Sequence, residues 1–339
     1  MIGAAAAVRY LPDSPYPPLM RIVLDTVVAR APARLDFGGG WTDVPPYGEE
    51  MGGFVCNLAI TRHAVVALRE DTAPTAPLDD LTSAAMRRAR LDGVSVALTT
   101  NFPPGAGLGG SSAVGVALQA AIASWREEVL DRETLARRSR GVEVDELHVA
   151  GGWQDHYAAA FGGALGLTFT NRVDVRVLPL GDAIAEGLER RCVVAYTGES
   201  RLSGATITAV LDAYRERVAH VVGALAQMAR LAREMADALA AGSLDQLGEL
   251  VGEHWTHQRA LHPRITTPGI ERTLDAARDA GAIGGKALGA SGGGCVLAIA
   301  GEGREDAVRA AMARVATLVP FAVDREGVRV ERRAQGAPV

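Results

Sequence analysis

The residues GAGLGG at 105–110, closed by Ser111 and Ser112, are the part of the chain best suited to chemistry. Glycines at this density leave backbone N–H groups free to turn toward a polyphosphate, and a helix starting at the serines adds the positive end of its dipole. A serine hydroxyl there is also a hard oxygen of the kind Mg²⁺ accepts. The same letters fit G-x-G-x-x-G, the dinucleotide fingerprint, but their context does not. Pro103 and Pro104 separate the glycines from the strand before them, and where a ribose-binding acid should end a second strand the chain is still helical, around Trp125 to Glu128. A Rossmann dehydrogenase is thereby disfavoured. A Walker lysine is also missing, since Gly285 and Lys286 have neither the upstream glycine nor a following Ser or Thr. On the motif alone, a capped glycine turn without a ligand stays open. Other clusters offer less. His254, His257 and His262 lack tight zinc spacing, no cysteine joins them, and surface or helix-end positions are expected. Cys56, Cys192 and Cys295 lie far apart in apolar stretches, as buried thiols of a reducing cytoplasm would.

The elements that must position the loop follow from periodicity. Runs at 22–29, 53–68 and 94–99 have strand character, glycines at 38–40 break the first, and a buried helix over 111–126 follows the glycine loop directly. Asp131 caps a second helix from Arg132 to about His148. CVVAYTG from Cys192 opens a second unit as a buried strand. Ile207, Leu211, Tyr214, Val218, Val221, Leu225, Met228, Met235 and Leu239 then predict one long helix ending before Gly242. Ser243 with Gln246 has capping-box spacing, and Thr267-Pro268 starts a helix that Gly281 ends. A strand at 295–300, a helix at 304–316 and a strand at 327–330 complete an α+β pattern. Residues 1–19, with four prolines and no amphipathic period, are expected to be a flexible tail. The 339 residues carry a net charge of −5, which gives no overall attraction for nucleic acid, and no apolar run reaches the roughly 18 residues of a membrane span.

Three stretches resemble the motifs of the GHMP kinases, the family of galactokinase, homoserine kinase, mevalonate kinase and phosphomevalonate kinase. PPGAGLGGSSA at 103–113 is similar to the second motif, P-x-x-x-G-L-G-S-S-A, with Gly110 as one extra residue. ARAPARLDFGGGWTDVPPY at 29–47 resembles the first motif and GGKALGASGGGCVLAI at 284–299 the third. Within the family, GGWTDVPPY and GGWQD resemble the L-fucokinase branch, whereas QDHYAAAFGG, YTGESR and GGKALGASGGG resemble kinases of D-glycero-D-manno-heptose 7-phosphate. The resemblance implies a two-domain α+β GHMP kinase fold: a left-handed β-α-β N-terminal domain over 20–190, binding ATP, and a ferredoxin-like C-terminal domain over 191–335. It implies transfer of the ATP γ-phosphoryl group, with Mg²⁺, to the anomeric hydroxyl of a sugar or sugar phosphate. The alternative is a GHMP-fold protein that senses sugar and nucleotide without turnover.

Residue by residue, the resemblance gives Pro104, Gly105, Ala106, Gly107, Leu108, Gly109, Gly110, Ser111 and Ser112 to ATP, and Ser112 with Glu143 to Mg²⁺. Asp145 and Glu146 compete with Glu143 for that assignment. Asp155 aligns with the catalytic aspartate that takes the acceptor proton; by position alone it serves equally well as an N-cap of the helix HYAAAF. Arg34 would offset transition-state charge, or else face solvent from its strand. Asp43 would accept hydrogen bonds from sugar hydroxyls, or form a turn beside Pro45-Pro46. Gly40, Trp41, Gly152, Gln154, Tyr196, Arg201, Gly292 and Gly293 complete the expected acceptor pocket, and Trp153 and Trp255 join Trp41 as faces for a sugar or for the core. A phosphate on the acceptor would need cations, for which Arg62, His63 and Arg201 are candidates. The expected partner is a small sugar, with neither nucleic acid nor membrane.

Overall fold

Two antiparallel sheets divide the chain, and the site residues lie where they meet. The computed structural model describes residues 26–70, 78–199 and 204–333, so the expected tail and Arg201 lie outside the described residues. The strands are β1 (Thr26–Gly38), β2 (Gly53–Glu70), β3 (Val94–Thr100), β4 (Ala164–Phe169), β5 (Val173–Leu178), β6 (Cys192–Tyr196), β7 (Ala282–Ala287), β8 (Cys295–Ala300), β9 (Thr317–Leu318) and β10 (Arg329–Arg333). The first sheet runs β10-β1-β2-β4-β5, with β3 also paired to β2; the second runs β7-β8-β6-β9. The long β2 makes this possible, its first half pairing β4 and its second half β3. Because β10 pairs with β1, the end of the chain returns to the first sheet, and the expected C-terminal unit over 191–335 gives this strand back to the N-terminal half.

The helices are α1 (Tyr47–Met51), α2 (Asp80–Ala89), α3 (Gly110–Trp125), α4 (Arg132–Gly141), α5 (Gln154–Phe161), α6 (Asp182–Arg191), α7 (Gly204–Arg215), α8 (Ala219–Ala240), α9 (Leu244–Ala260), α10 (Pro268–Asp279) and α11 (Glu305–Ala313). Helices α3 and α5 pack on β1, and so do α8 and α9, which is why β1 is buried nearly throughout rather than on alternate residues. Asp131 caps α4 through the Thr134 N–H, and Thr267 caps α10 through the Ile270 N–H, as their spacing requires.

Three expectations fail here. The single long helix is two, because Arg217 takes φ 57 and the chain closes α7 with Arg217 N–H donating to Tyr214 O and Val218 N–H to Ala213 O. This is a Schellman-type end built on arginine instead of glycine, so no sequence signal marks it. Ser243 does precede α9, but its side chain makes no capping bond. Helix α4 stops at Gly141 and continues as a π-helical turn, Val142–Glu146, that re-aims Glu143.

One buried ion pair joins the sheets. Lys286 Nζ of β7 donates to Asp36 Oδ2 of β1 at 2.8 Å and to Asp36 O at 3.1 Å, with the two side chains 0% and 2% exposed. Burial pulls the Lys286 ammonium below its ordinary pKa, and the Asp36 carboxylate opposes that shift. Removing one partner leaves a buried charge uncompensated, whereas replacing both by apolar groups is close to neutral. Lys286→Met should therefore cost about 3–5 kcal/mol in urea unfolding, and Asp36→Leu combined with Lys286→Met should recover most of it. A single variant as stable as the wild type would show that the pair does not hold the sheets together.

Candidate active site

A cleft of about 740 Å³ opens between the glycine loop, the end of β1 and the start of α5. That volume lies within the range of small-molecule sites, roughly 300–1,000 Å³. Its wall contains Arg34, Asp36, Gly40, Trp41, Asp43, every residue from Pro103 through Ser112, Glu143, Gly152, Gln154, Asp155 and His156.

Arg34 is the centre of the arrangement. It sits on β1 at 3% exposure, its N–H donates to Leu108 O at 2.9 Å, and its Nη1 donates to Gly107 O at 2.6 Å. Its Nε donates to Asp155 Oδ1 at 2.7 Å. One strand residue therefore fixes both the glycine loop and the carboxylate opposite it, and the solvent-facing alternative for Arg34 is overturned. The loop in turn abuts the acid. Gly109 takes φ 71, and a Cβ built there would lie 3.1–3.2 Å from the Asp155 carboxyl group. Only glycine lets the loop come this close.

Asp155 does not cap α5. Trp153 is the N-cap residue, and the helix's first donors are taken by Asp43, whose Oδ2 accepts from Trp153 N–H at 2.8 Å and Gln154 N–H at 3.0 Å. Asp43 is 2% exposed, and burial pushes its carboxyl up to about 6 in spite of these two bonds. Gly152 passes against it, where a Cβ would fall 2.0 Å from Oδ2. Arg140 braces the same turn, donating to the carbonyls of Gly151 and Gly152 and stacking 3.9 Å from the Trp153 ring centroid.

On the loop side, Ser111 Oγ donates to Glu143 Oε1 at 2.7 Å. Ser112 is turned inward at 5% exposure, its Oγ lying 3.3 Å from His156 Nε2, while His156 Nδ1 lies 2.9 Å from Ser139 Oγ. Glu143 Oε2 lies 3.4 Å from the same His156 Nε2. Burial raises the Glu143 carboxyl, but the bonds from His156 and Ser111 outweigh it and hold the group below its ordinary value. Asp145 and Glu146 point instead to Arg88 on the surface.

Several expected site residues lie elsewhere. Tyr196, Gly292 and Gly293 do not line the cleft; Gly289 and Ala290 of the same glycine-rich segment do. That segment holds the glycine loop through Cys295 N–H, which donates to Ala106 O at 2.7 Å, and is itself held by Gly294 N–H donating to Glu199 O at 2.7 Å. Arg62 donates through Nε to Pro320 O at 2.6 Å, and His63 Nε2 lies 2.6 Å from Asp324 Oδ2, so both tie down the returning C-terminal segment and neither lines the cleft. Trp255 lies in the core of the second sheet, not in the cleft. His254, expected at a surface, is fully buried in α9 and accepts the Gly39 N–H at 2.8 Å, and burial holds its pKa well below the usual value. Asp36, Lys286, Arg140 and His156 escaped sequence reasoning. Two of them had a signal: Asp36 shares the strand face of Arg34 at a spacing of two, and Lys286 is a lone charge in a glycine-rich apolar strand.

Residues 79–163 match the family description GHMP kinases N terminal domain, and residues 235–317 match GHMP kinases C terminal. The chain is 32% identical over 246 residues to a mevalonate kinase of Pyrococcus abyssi, covering 70% of this chain and 69% of that protein. It is 28% identical over 310 residues to D-glycero-alpha-D-manno-heptose 7-phosphate kinase of Campylobacter jejuni, covering 80% and 88%. It is 25% identical over 313 residues to the bifunctional fucokinase/GDP-fucose pyrophosphorylase of Arabidopsis thaliana, but spans only 29% of that protein's length. The crystal structure of a D-glycero-D-manno-heptose 1-phosphate kinase from Bacteroides thetaiotaomicron has the same fold, with a TM-score of 0.73 at 24% identity, covering 90% of this chain and 98% of that one.

The buried carboxyl of Asp43 has a measurable consequence. Folding raises its pKa from 3.8 to about 6, so between those values the native state holds a proton that the unfolded chain has released. The stability tied to the protonated form is present in full below the lower value and is lost as pH rises through about 6. The shift corresponds to about 3 kcal/mol. Measured by urea unfolding, the stability of the wild type relative to Asp43→Asn should fall by that amount between pH 4 and pH 8. A difference flat in pH would show that the Asp43 charge is not strained by burial.

Proposed function

The chain belongs to the GHMP kinase family, and from that premise we propose that it is an ATP-dependent kinase that phosphorylates the anomeric hydroxyl of a sugar or sugar phosphate, of the L-fucose or D-glycero-D-manno-heptose 7-phosphate class. The observation that carries the proposal is the Arg34–Asp155 pair, 2.7 Å long, set directly against the glycine loop. Phosphoryl transfer asks the protein chiefly for positioning and compensation of charge. The loop at 104–112, opening α3, offers backbone N–H groups and a helix N-terminus to the ATP phosphates. Asp155 faces the same space and accepts the proton of the attacking hydroxyl, while Arg34 holds its carboxylate in place and offsets the charge that develops beside it.

Glu143 and Ser111 suit Mg²⁺, presenting two hard oxygens in contact on the cleft wall. Among the described residues no cluster of three or more His, Cys, Asp or Glu could hold a metal, so ATP phosphates and waters would complete the shell, as Mg²⁺ commonly requires. When bound there the ion would neutralise phosphate charge. Ser112, the serine first expected in this role, faces His156 and instead supports the wall behind Glu143. No helix among the described residues is long and apolar enough to cross a membrane. A cytoplasmic setting is part of the proposal, supported by three buried, unpaired cysteines.

Assayed with Mg-ATP against free sugars and sugar phosphates, the protein should release ADP in step with sugar phosphorylation. Asp155→Asn should lower kcat by about 10²–10⁴-fold with nucleotide binding retained; turnover near the wild-type rate would remove Asp155 from the reaction. Ser111→Ala should raise the Mg²⁺ concentration needed for half-maximal turnover more than Ser112→Ala does, and the opposite order would return the metal to Ser112.

A further inference from the structure

His156 sits where α3, α4, the π-helical turn and α5 meet. It follows Asp155 directly on α5 and is 1% exposed, so its ring is closed to solvent. Its Nδ1 lies 2.9 Å from Ser139 Oγ of α4. Its Nε2 lies 3.3 Å from Ser112 Oγ of α3 and 3.4 Å from Glu143 Oε2 of the π-helical turn. An ionised carboxylate can only accept, so the nitrogen between Ser112 and Glu143 carries a proton, and in a neutral ring Nδ1 then accepts from the Ser139 hydroxyl.

The surrounding structure is arranged to hold the ring. Ser139 is fully buried and reaches it because α3 has glycine at 115, where a Cβ would fall 2.3 Å from Ser139 Oγ. The π-helical turn follows Ser139 at the end of α4 and brings Glu143 to the opposite edge of the ring. On the cleft side, Ser111 Oγ donates to Glu143 Oε1. The carboxylate is therefore held from two sides, by a serine of the loop and by an imidazole on the helix that carries Asp155. Burial alone asks that both ring nitrogens be satisfied, and the two serines could do that. The contact with Glu143 goes further, because Glu143 lines the cleft.

We infer that His156 is a positioning residue for the metal ligand: its Nε2–H fixes the Glu143 carboxylate, and through their common helix it ties that ligand to Asp155. The inference rests on the assignment of Glu143 to Mg²⁺ in the kinase proposal. A carboxylate set in place beforehand binds a cation without first losing rotamer freedom. Groups that orient a metal ligand from behind are typically worth about 10–100-fold in metal affinity. Being closed to solvent, His156 acts through Glu143 and not on a ligand itself.

Calorimetric titration of a non-hydrolysable ATP analogue, once with Mg²⁺ and once with EDTA, gives the factor by which Mg²⁺ tightens binding, and turnover does not enter it. His156→Leu should reduce that factor by roughly 10-fold, with the affinity in EDTA kept within about 3-fold of the wild type. His156→Gln restores an N–H donor and should keep most of the factor, a rescue that a packing role does not predict. In a Glu143→Gln background, His156→Leu should have no further effect on it. Ser139→Ala leaves the ring in place but unanchored, should cost about 3-fold, and carries the test if His156→Leu does not fold. An Mg²⁺ factor unchanged in Ser139→Ala, or in His156→Leu where that protein folds, would overturn the positioning role. Equal losses in His156→Leu and His156→Gln, or a full effect of His156→Leu without the Glu143 carboxylate, would also overturn it. A wild type whose analogue binding ignores Mg²⁺ would overturn it together with the metal assignment. The expected pattern in a protein that transfers no phosphoryl group would support the role of His156 and sink the kinase reading instead.

Discussion

A single guanidinium organises the candidate site. Arg34 reaches the glycine loop through Gly107 O and the start of α5 through Asp155, from a position fixed in the middle of a buried strand. Desolvating a guanidinium is costly unless its donors are used, and here Nε bonds a carboxylate and Nη1 a carbonyl oxygen. The loop, strand and helix are thus set relative to one another before any ligand arrives. Groups that need not reorganise stabilise developing charge best, and under the kinase proposal a buried, prepositioned arginine suits this position better than a mobile surface one.

The same economy runs through the junction of the two sheets. The Asp36–Lys286 pair links β1 to β7, and Cys295 N–H donates to Ala106 O of the glycine loop. A Cβ at Gly107 would meet Leu288 O at 2.6 Å, so glycine at this position lets the loop pack against the second half of the chain. The third glycine-rich motif thereby meets the second: Cys295 N–H bonds Ala106 O, while of this segment Gly289 and Ala290 line the cleft.

Much of this was legible in the sequence, for reasons that differ by residue. Strand β2, helix α3 and the caps at Asp131 and Thr267 follow from local periodicity and turn chemistry, and the structure contains all of them. The family follows from three ordered motifs. What stayed hidden is non-local. The end of α7 at Arg217 carries no glycine, the burial of His254 involves Gly39, 215 positions away, and the return of β10 to β1 joins the first and last described strands. Tyr196 illustrates the opposite error, a motif residue that follows its neighbours into a pattern but not into the cleft.

At Asp155 the capping alternative is removed by a second aspartate. An acid in the first turn of a helix is drawn to the free N–H groups there, and a carboxylate engaged in that way is a poor proton acceptor. Asp43, supplied by a different segment, takes the Trp153 and Gln154 N–H groups instead. It does so at the cost of burying a carboxyl whose pKa burial lifts to about 6. Asp155 is left at the start of α5 with one oxygen on Arg34 and the other, Oδ2, against Gly109 of the glycine loop. Two carboxylates of the same type differ in their partners: one is committed to backbone donors and the other to a guanidinium. The helix can therefore present an acid at its own N-terminus without consuming it.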